Sequence, residues 1–413
     1  MYVSRLEIRN LRCFSKAAVD FMHPGATVKP KNGPDNVTLL LGENGAGKTT
    51  VLKAIALAML SETLKDSSYS PYSLVRRVGK RTEPASVSAV AHFTRGELGP
   101  REGAKSAKIH QTIMPLGGTR RDKLGGVKLR GVPVSTYRQV LDAHDSSSIF
   151  IVAYGSRRWS ELSKRMDRSG RDAERLPRHQ RVASLLEDEA AFTLVPPDAW
   201  LPELCARNPG RFKQVSTLIR RLGPPDEELS VREDILAQGG ELVFHQHGAE
   251  VPFHALSDGY RGYFGWLTDL LYHVVKGVKT GHKLVETEGL VLVDEVDLLL
   301  HPRWQRVIID KLAKTFPRLQ FVFTTHSPLV AGGLGREQIR TMERSRSGMT
   351  VSVPDVDLFG KSADQILLSP IFELPSVRNA ETTNKVEDLA FEASKGNKKA
   401  AHDLMRALAG ELV

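Results

Sequence analysis

Four short, continuous apolar runs punctuate this chain: Val37 to Leu41, Ile149 to Tyr154, Gly289 to Val293 and Gln320 to Thr325. Runs of this length without polar alternation predict strands buried in a core. Two longer stretches, residues 50–59 and 262–275, repeat their apolar positions at helical spacing and predict helices. Shorter strands are expected at 86–94 and 107–114, and a hairpin at 241–245 and 250–253. The Gly-rich, basic stretch 117–131 predicts either a flexible loop or a hairpin. Residues 137–143 look helical, whereas 61–85 are polar and Ser-rich. From 160 to 235 helical periodicity is broken by Pro196-Pro197 and Pro224-Pro225, as in an inserted helical lid or arm. Past Val353, helices are expected near 362–368, 383–394 and 398–412. No sustained heptad run occurs, which excludes a long coiled coil. The boundaries drawn from these patterns are 1–158 for a first lobe, 159–240 for the helical insertion, 241–350 for a second lobe and 351–413 for a helical tail.

Two of the apolar runs end in residues that carry chemistry. After Leu41 come Gly42, Glu43, Asn44, Gly45, Ala46, Gly47, Lys48 and Thr49, then Thr50 at the start of a helix. A strand, this glycine loop with Lys-Thr, and a helix together make a phosphate-binding loop. Its backbone N–H groups and the helix N-terminus would cradle the phosphates of ATP, with Lys48 reaching the β/γ-phosphates and Thr49 on Mg²⁺. After Val293 come Asp294 and Glu295. Acids at the C-terminal end of a buried strand suit Mg²⁺ binding by Asp294 and orientation of an attacking water by Glu295.

Two further motifs narrow the class. Leu256-Ser257-Asp258-Gly259-Tyr260 precedes the second helical run, with Ser257 placed as its N-cap. It resembles the Leu-Ser-Gly-Gly-Gln signature of the ABC ATPase superfamily, with Asp258 and Tyr260 as departures. In that family the signature of one subunit closes on the γ-phosphate held by the other. The resemblance therefore implies an ATP-dependent dimer with Ser257, Asp258 and Gly259 acting in trans. Thr324-Thr325-His326-Ser327 resembles the family's switch-histidine strand, which implies that His326 senses the γ-phosphate. The implied fold is α/β: an ABC-type P-loop NTPase with mixed sheets, an inserted helical lid or arm and a small helical C-terminal region.

Spacing separates this chain from the transporter branch, because Gly47 and Ser257 lie 210 residues apart. The string Asp294-Glu295-Val296-Asp297, then Leu300-His301-Pro302, Trp304 and Gln305, resembles OLD-type and related AAA_21 ATPases, cousins of RecF and SMC. Residues 3–14 resemble the opening strand and turn of that group, and Tyr154-Gly155-Ser156-Arg157-Arg158 its Tyr-Gly-x-x-Arg string. No Q-loop Gln is evident, and Gln139 is a poor substitute. OLD proteins add a TOPRIM nuclease. Asp355-Val356-Asp357 leaves too few residues after it for that fold, and residues 359–367 instead resemble the tail of standalone members. The ATPases of the Septu, PARIS and retron anti-phage systems are such members. The resemblance thus implies an ATPase that regulates a separate effector, such as a nuclease. A RecF-like repair or replication ATPase and an assembly scaffold with slow turnover remain as alternatives.

Composition sets limits on these readings. The chain has 413 residues, 41% hydrophobic, with a net charge of +10. No apolar run is long enough to span a bilayer, and residues 1–10 carry no signal-peptide core, so a cytoplasmic protein is expected. Cys13 and Cys205 are too few for a disulfide framework. His245, His247 and His254 are expected to be strand-face residues rather than metal ligands. Nine Lys/Arg lie between 157 and 181, among them Arg157, Arg158, Lys164, Arg165, Arg168 and Arg171, and a second cluster spans Arg120, Arg121, Lys123, Lys128 and Arg130. Such patches attract the phosphates of DNA or RNA.

Overall fold

The structure is a computed structural model. It describes all residues except 68, 79–81, 100, 118, 145, 157–175, 187–193, 224–229, 232–241, 247, 280, 347, 373, 375 and 409–413. Chain contacts divide it into two units, Met1–Gly360 and Lys361–Val413.

Two sheets and the helix between them make up the heart of the larger unit. The first sheet is antiparallel, in the order β2-β1-β4-β5-β6. Its strands are β1 (Tyr2–Leu11), β2 (Phe14–Asp20), β4 (Ala85–Phe93), β5 (Lys105–Pro115) and β6 (Asp122–Arg130). Burial alternates along them, so one face is apolar and the other polar. Of the two alternatives for residues 117–131, the structure has the hairpin: β6 pairs antiparallel with β5.

The second sheet has the order β14-β13-β3-β12-β11-β7. It contains β3 (Val37–Leu41), β7 (Ile151–Tyr154), β11 (Gly289–Val293), β12 (Leu319–Thr325), β13 (Ile339–Ser345) and β14 (Gly348–Ser352). The four continuous apolar runs are parallel strands of it, three inner and β7 at the edge, and every residue of β3, β7, β11 and β12 is buried. Covered on both faces, such strands have no polar side to alternate with. Helix α1 (Lys48–Lys65) packs on strands of both sheets, and residues 50–64 are buried throughout. A helix apolar all round is what a position between two layers requires.

The connections position the remaining elements. Helix α2 (Val134–Asp142) packs on α1, where Tyr137 Oη donates to Met59 O at 2.6 Å. Gln139 lies on its exposed side. The short α3 (Ala183–Leu186) lies against β7. Helices α4 (Pro197–Arg207) and α5 (Pro209–Leu222) form a pair that contacts α6 (Asp258–Gly277). A small sheet of β8 (Ser230–Val231), β9 (Val243–Gln246) and β10 (Ala249–Pro252) leads into α6, with the expected hairpin at β9-β10. His245 stands on β9 opposite Glu250, and His247 lies outside the described residues. Short helices α7 (Pro302–Gln305) and α8 (Ile308–Thr315) come after β11, and α9 (Pro328–Ala331) after β12. The smaller unit is helical: α10 (Ala363–Leu367), α11 (Ala380–Ser394) and α12 (Lys398–Leu408), the last two packed together.

Two of the nine basic residues between 157 and 181 prove to be structural. Arg178 is 0% exposed and donates to Leu141 O (2.6 Å), Ser148 O (2.7 Å) and Ala143 O (2.9 Å). Arg181 donates to Leu176 O and His144 O. Loop carbonyls rather than a polyanion hold these guanidiniums, because the bend from α2 to β7 leaves carbonyls without ladder partners. Arg178→Ala should therefore lower stability by about 3 kcal/mol, since several buried acceptors lose their donor together. Thermal unfolding would measure this. Arg138→Ala, which removes two exposed ion pairs and a long 3.9 Å one to Glu62, should change it by less than about 1 kcal/mol.

Candidate functional site

The C-terminal ends of β3, β11 and β12 lie side by side, because β12 pairs with β3 on one flank and β11 on the other. Three segments far apart in sequence therefore open onto one edge: residues 42–49 after β3, Asp294 and Glu295 after β11, and His326 after β12. Ligands of open α/β sheets bind at such carboxyl edges.

The glycine loop is tightly enclosed on one side. Gly47 is the N-cap of α1, with φ 99°. A Cβ there would meet Cys13 Sγ at 2.5 Å and the Phe14 ring at 2.7 Å. The turn between β1 and β2 thus packs under the loop, and only glycine fits. The first hydrogen bond at the helix start runs from Val51 N to Gly47 O at 3.0 Å. The backbone N–H groups of Lys48, Thr49 and Thr50 precede it and remain for an anion. Thr50 itself is buried, at 3% exposed. Glu43, Asn44 and Gly45 are exposed, and Ala46 is buried.

Lys48 is folded back into the loop. Its Nζ donates to Gly42 O (2.7 Å) and Glu43 O (2.9 Å) and lies 2.7 Å from His326 Nε2. An ammonium has no acceptor, so Nε2 must be the acceptor and His326 the neutral, Nδ1-protonated tautomer. Burial pushes the His326 pKa down, and the Lys48 charge lowers it further. Burial also lowers Lys48 to about 8, opposed by Asp294, Glu295 and Asp297.

Asp294 is 3% exposed and held from two sides. Thr49 Oγ1 donates to its Oδ2 at 2.8 Å and Thr324 Oγ1 to its Oδ1 at 2.6 Å. Thr324 Oγ1 also accepts from Glu295 N at 2.7 Å. Glu295 itself is in the left-handed region, with φ 47°. Next in the chain, Asp297 accepts from Thr325 Oγ1, and Gln305 links the loop back to β12 by accepting from Ser327 Oγ at 2.7 Å. The sequence alone did not single out Thr324, Thr325, Gln305 and Ser327 as site residues. The signal available was their place in the strings after β12 and β11.

The donor set fits a hard divalent cation with a phosphate. Thr49 hydroxyl and Asp294 carboxylate meet at 2.8 Å beside the glycine loop, and both are oxygen ligands of the type Mg²⁺ prefers.

The signature segment starts α6. Ser257 is its N-cap residue, but its side chain makes no capping hydrogen bond, contrary to the capping role expected of it. Asp258 pairs instead with Arg261 on the first turn. At Gly259, a Cβ would stand 2.7 Å from Leu299 O, in the loop beyond Asp294 and Glu295. Tyr260 packs on Trp304 of α7, ring centroids 5.7 Å apart, where the signature's usual Gln would be polar. Tyr154, at the end of β7, donates to Asp269 Oδ2 of α6 at 2.7 Å. The basic residues Arg157, Arg158, Lys164, Arg165, Arg168 and Arg171 lie outside the described residues.

The fold is that of an ABC-type P-loop domain. The Smc head, solved bound to the C-winged helix domain of ScpA, shares this fold with a TM-score of 0.52 and 16% identity, covering 85% of this chain and 97% of that one. Residues 131–332 match the AAA_21 family model, described as "AAA domain, putative AbiEii toxin, Type IV TA system", and residues 5–112 match AAA_23, described as an AAA domain. The chain is related to the Septu protein PtuA of Bacillus mycoides, with 26% identity over 383 residues, 90% of this chain and 45% of that protein. It is also related to the Retron Vc95 probable ATPase of Vibrio cholerae, with 34% identity over 142 residues, 34% of this chain and 28% of that protein. It thus spans less than half the length of either relative. No described helix is long and apolar enough to cross a membrane.

For a nucleotide bound at the glycine loop, Lys48 would make affinity pH-dependent in a definite direction. A bound phosphate favours the charged ammonium, so the pKa of about 8 rises on binding. Above that pH the complex holds more protons than the free protein, so affinity falls as pH rises; below it, this contribution is flat. Titration calorimetry in buffers of differing ionisation heat should show uptake approaching one proton at about pH 9 and almost none at about pH 7. Equal uptake at both would contradict this environment for Lys48.

Proposed function

We propose that this protein binds and hydrolyses ATP with Mg²⁺, closes as an ATP-sandwich dimer, and through that closure regulates a separate effector in anti-phage defence. The observation that carries the catalytic part is the convergence of Lys48, Thr49, Asp294, Glu295 and His326 on one sheet edge. Relatedness to Septu PtuA and to retron ATPases supports the defence setting. A nuclease is the kind of effector proposed.

In this reading Thr49 and Asp294 would hold the cation, which would offset charge on the phosphates. Lys48 leaves the carbonyls of Gly42 and Glu43 for the β/γ-phosphates, exchanging neutral acceptors for charged ones. Departure of Lys48 frees His326 Nε2, two positions beyond the threonine that holds Asp294, to take a proton and then donate to the γ-phosphate. Thr324 fixes the Glu295 backbone, so its carboxylate can orient water for in-line attack. Ser257, Asp258 and Gly259 are assigned to the partner copy's γ-phosphate. There the uncapped N-terminus of α6 offers N–H donors, and Arg261 neutralises Asp258.

These roles separate in variants. Lys48→Ala should abolish ATP binding. Glu295→Gln should keep binding, slow turnover by roughly 10²–10⁴-fold and accumulate an ATP-bound dimer. Normal turnover in Glu295→Gln would refute its role.

Ser257→Arg and Gly259→Val test closure. Both should bind ATP as monomers yet fail to form the ATP-dependent dimer in sedimentation, Gly259→Val because its side chain would push against Leu299 O. Persistent ATP-dimers in Ser257→Arg would sink the trans assignment.

A further inference from the structure

The geometry points to a second anion site on this protein: a cleft on the polar face of the five-stranded sheet that binds a phosphate-bearing ligand, separately from the glycine loop. The cleft is about 390 Å³ and crosses β1, β4, β5 and β6. Register builds it. Glu7, Ser88, His110 and Lys128 stand side by side across the four strands. In the next row Lys108 faces Arg130 directly, and on the other side Arg9 faces Ser86. Four cations thus line the cleft against one carboxylate, Glu7, and that carboxylate is taken by Lys108 at 2.8 Å. Arg9, Lys128 and Arg130 form no ion pair among the described residues.

Like charges placed directly across a sheet are destabilising, so such a face needs a reason. Edge protection is one, since lysines on edge strands discourage sheet-to-sheet pairing. It accounts for Lys128 and Arg130 on the edge strand β6, but not for Arg9 on β1 or for Lys108 and His110 on β5, all interior strands. His110 reports the same surplus. Its Nδ1 meets Ser88 Oγ at 2.7 Å, and its pKa is lowered by burial and then by Lys128, Lys108 and Arg9, with only Glu7 opposing. A bound anion would reverse that repulsion and raise it. No Phe, Tyr or Trp is among the described residues that line the cleft, so phosphates rather than stacked bases are the matching chemistry. A nucleic-acid strand and a free polyphosphate both carry them.

The test uses Lys48→Ala protein, whose glycine loop is disabled, so that its result is independent of the ATPase reading. Labelled single-stranded oligonucleotide and inorganic triphosphate are the probes, at several salt concentrations, with His110 followed by NMR titration. The expected result is binding of at least one probe with an upward His110 shift. The Lys128→Glu/Arg130→Glu pair should weaken it at least about tenfold and, for the oligonucleotide, flatten the log–log salt slope by about 1.4. The Lys213→Glu/Arg220→Glu pair, the same change of charge at exposed positions of α5, should change it less than about twofold. Oligonucleotide alone binding identifies a nucleic-acid ligand, and triphosphate binding identifies a small polyphosphate. Failure of both probes, equal losses in all charge reversals, or an unmoved His110 would each overturn the site.

Discussion

The site depends on one buried carboxylate. Asp294 is almost wholly removed from water, and a buried charge without partners costs several kcal/mol. It is tolerated because hydroxyls from α1 and β12 donate to both of its oxygens. Those two threonines lie 245 and 30 residues away, so the hydrogen bonds also tie the glycine-loop helix, the β11 strand end and the switch-histidine strand into one body. Thr324 serves twice, since the same hydroxyl accepts from Glu295 N and so sets where the next carboxylate begins. With Asp294, Glu295 and Asp297 all drawing on Lys48, the edge carries more negative than positive charge. That balance favours a divalent cation arriving with a polyanion over either alone.

Much of this was legible in the sequence, for a physical reason. Strands buried on both faces cannot hide among polar residues, so β3, β7, β11 and β12 stood out as continuous runs within two residues of their bounds. The glycine loop and the acids after β11 were legible because their chemistry fixes their spacing. Sheet order was not. That β12 lies between β3 and β11 is a non-local pairing, and without it nothing brings Thr324 to Asp294. Ser257 was placed correctly at the N-cap but misread in role, because propensity places a hydroxyl at a helix start without saying whether it turns to the backbone. Arg178 and Arg181 were misread for a related reason. Charge along the chain says nothing about which carbonyls a bend leaves unpaired.

The helix α6 is fastened near its start and again in its second half. Near its start, Gly259 abuts Leu299 O, and Leu299 is itself left-handed, with φ 62°, a conformation that costs a leucine roughly 1–2 kcal/mol. Tyr260 and Tyr263 close on Trp304, the latter with centroids 4.2 Å apart. Further along, Asp269 accepts from Tyr154 Oη at the end of β7 and from Val195 N at 2.8 Å. Burial and the Asp269 charge together push the Tyr154 pKa well above its ordinary value, so this phenol stays a donor at any physiological pH.

Fastening of this kind decides where motion can occur. A helix held by a backbone contact at one end, an aromatic cluster beside it and a buried hydrogen-bonded carboxylate in its second half cannot swing alone without breaking all three. Any rearrangement of the loop after Glu295 is therefore passed to Gly259 through Leu299. That loop carries Asp297, which is bonded to Thr325, the residue before His326. A displacement of that loop would therefore reach both the β12 end and the start of α6.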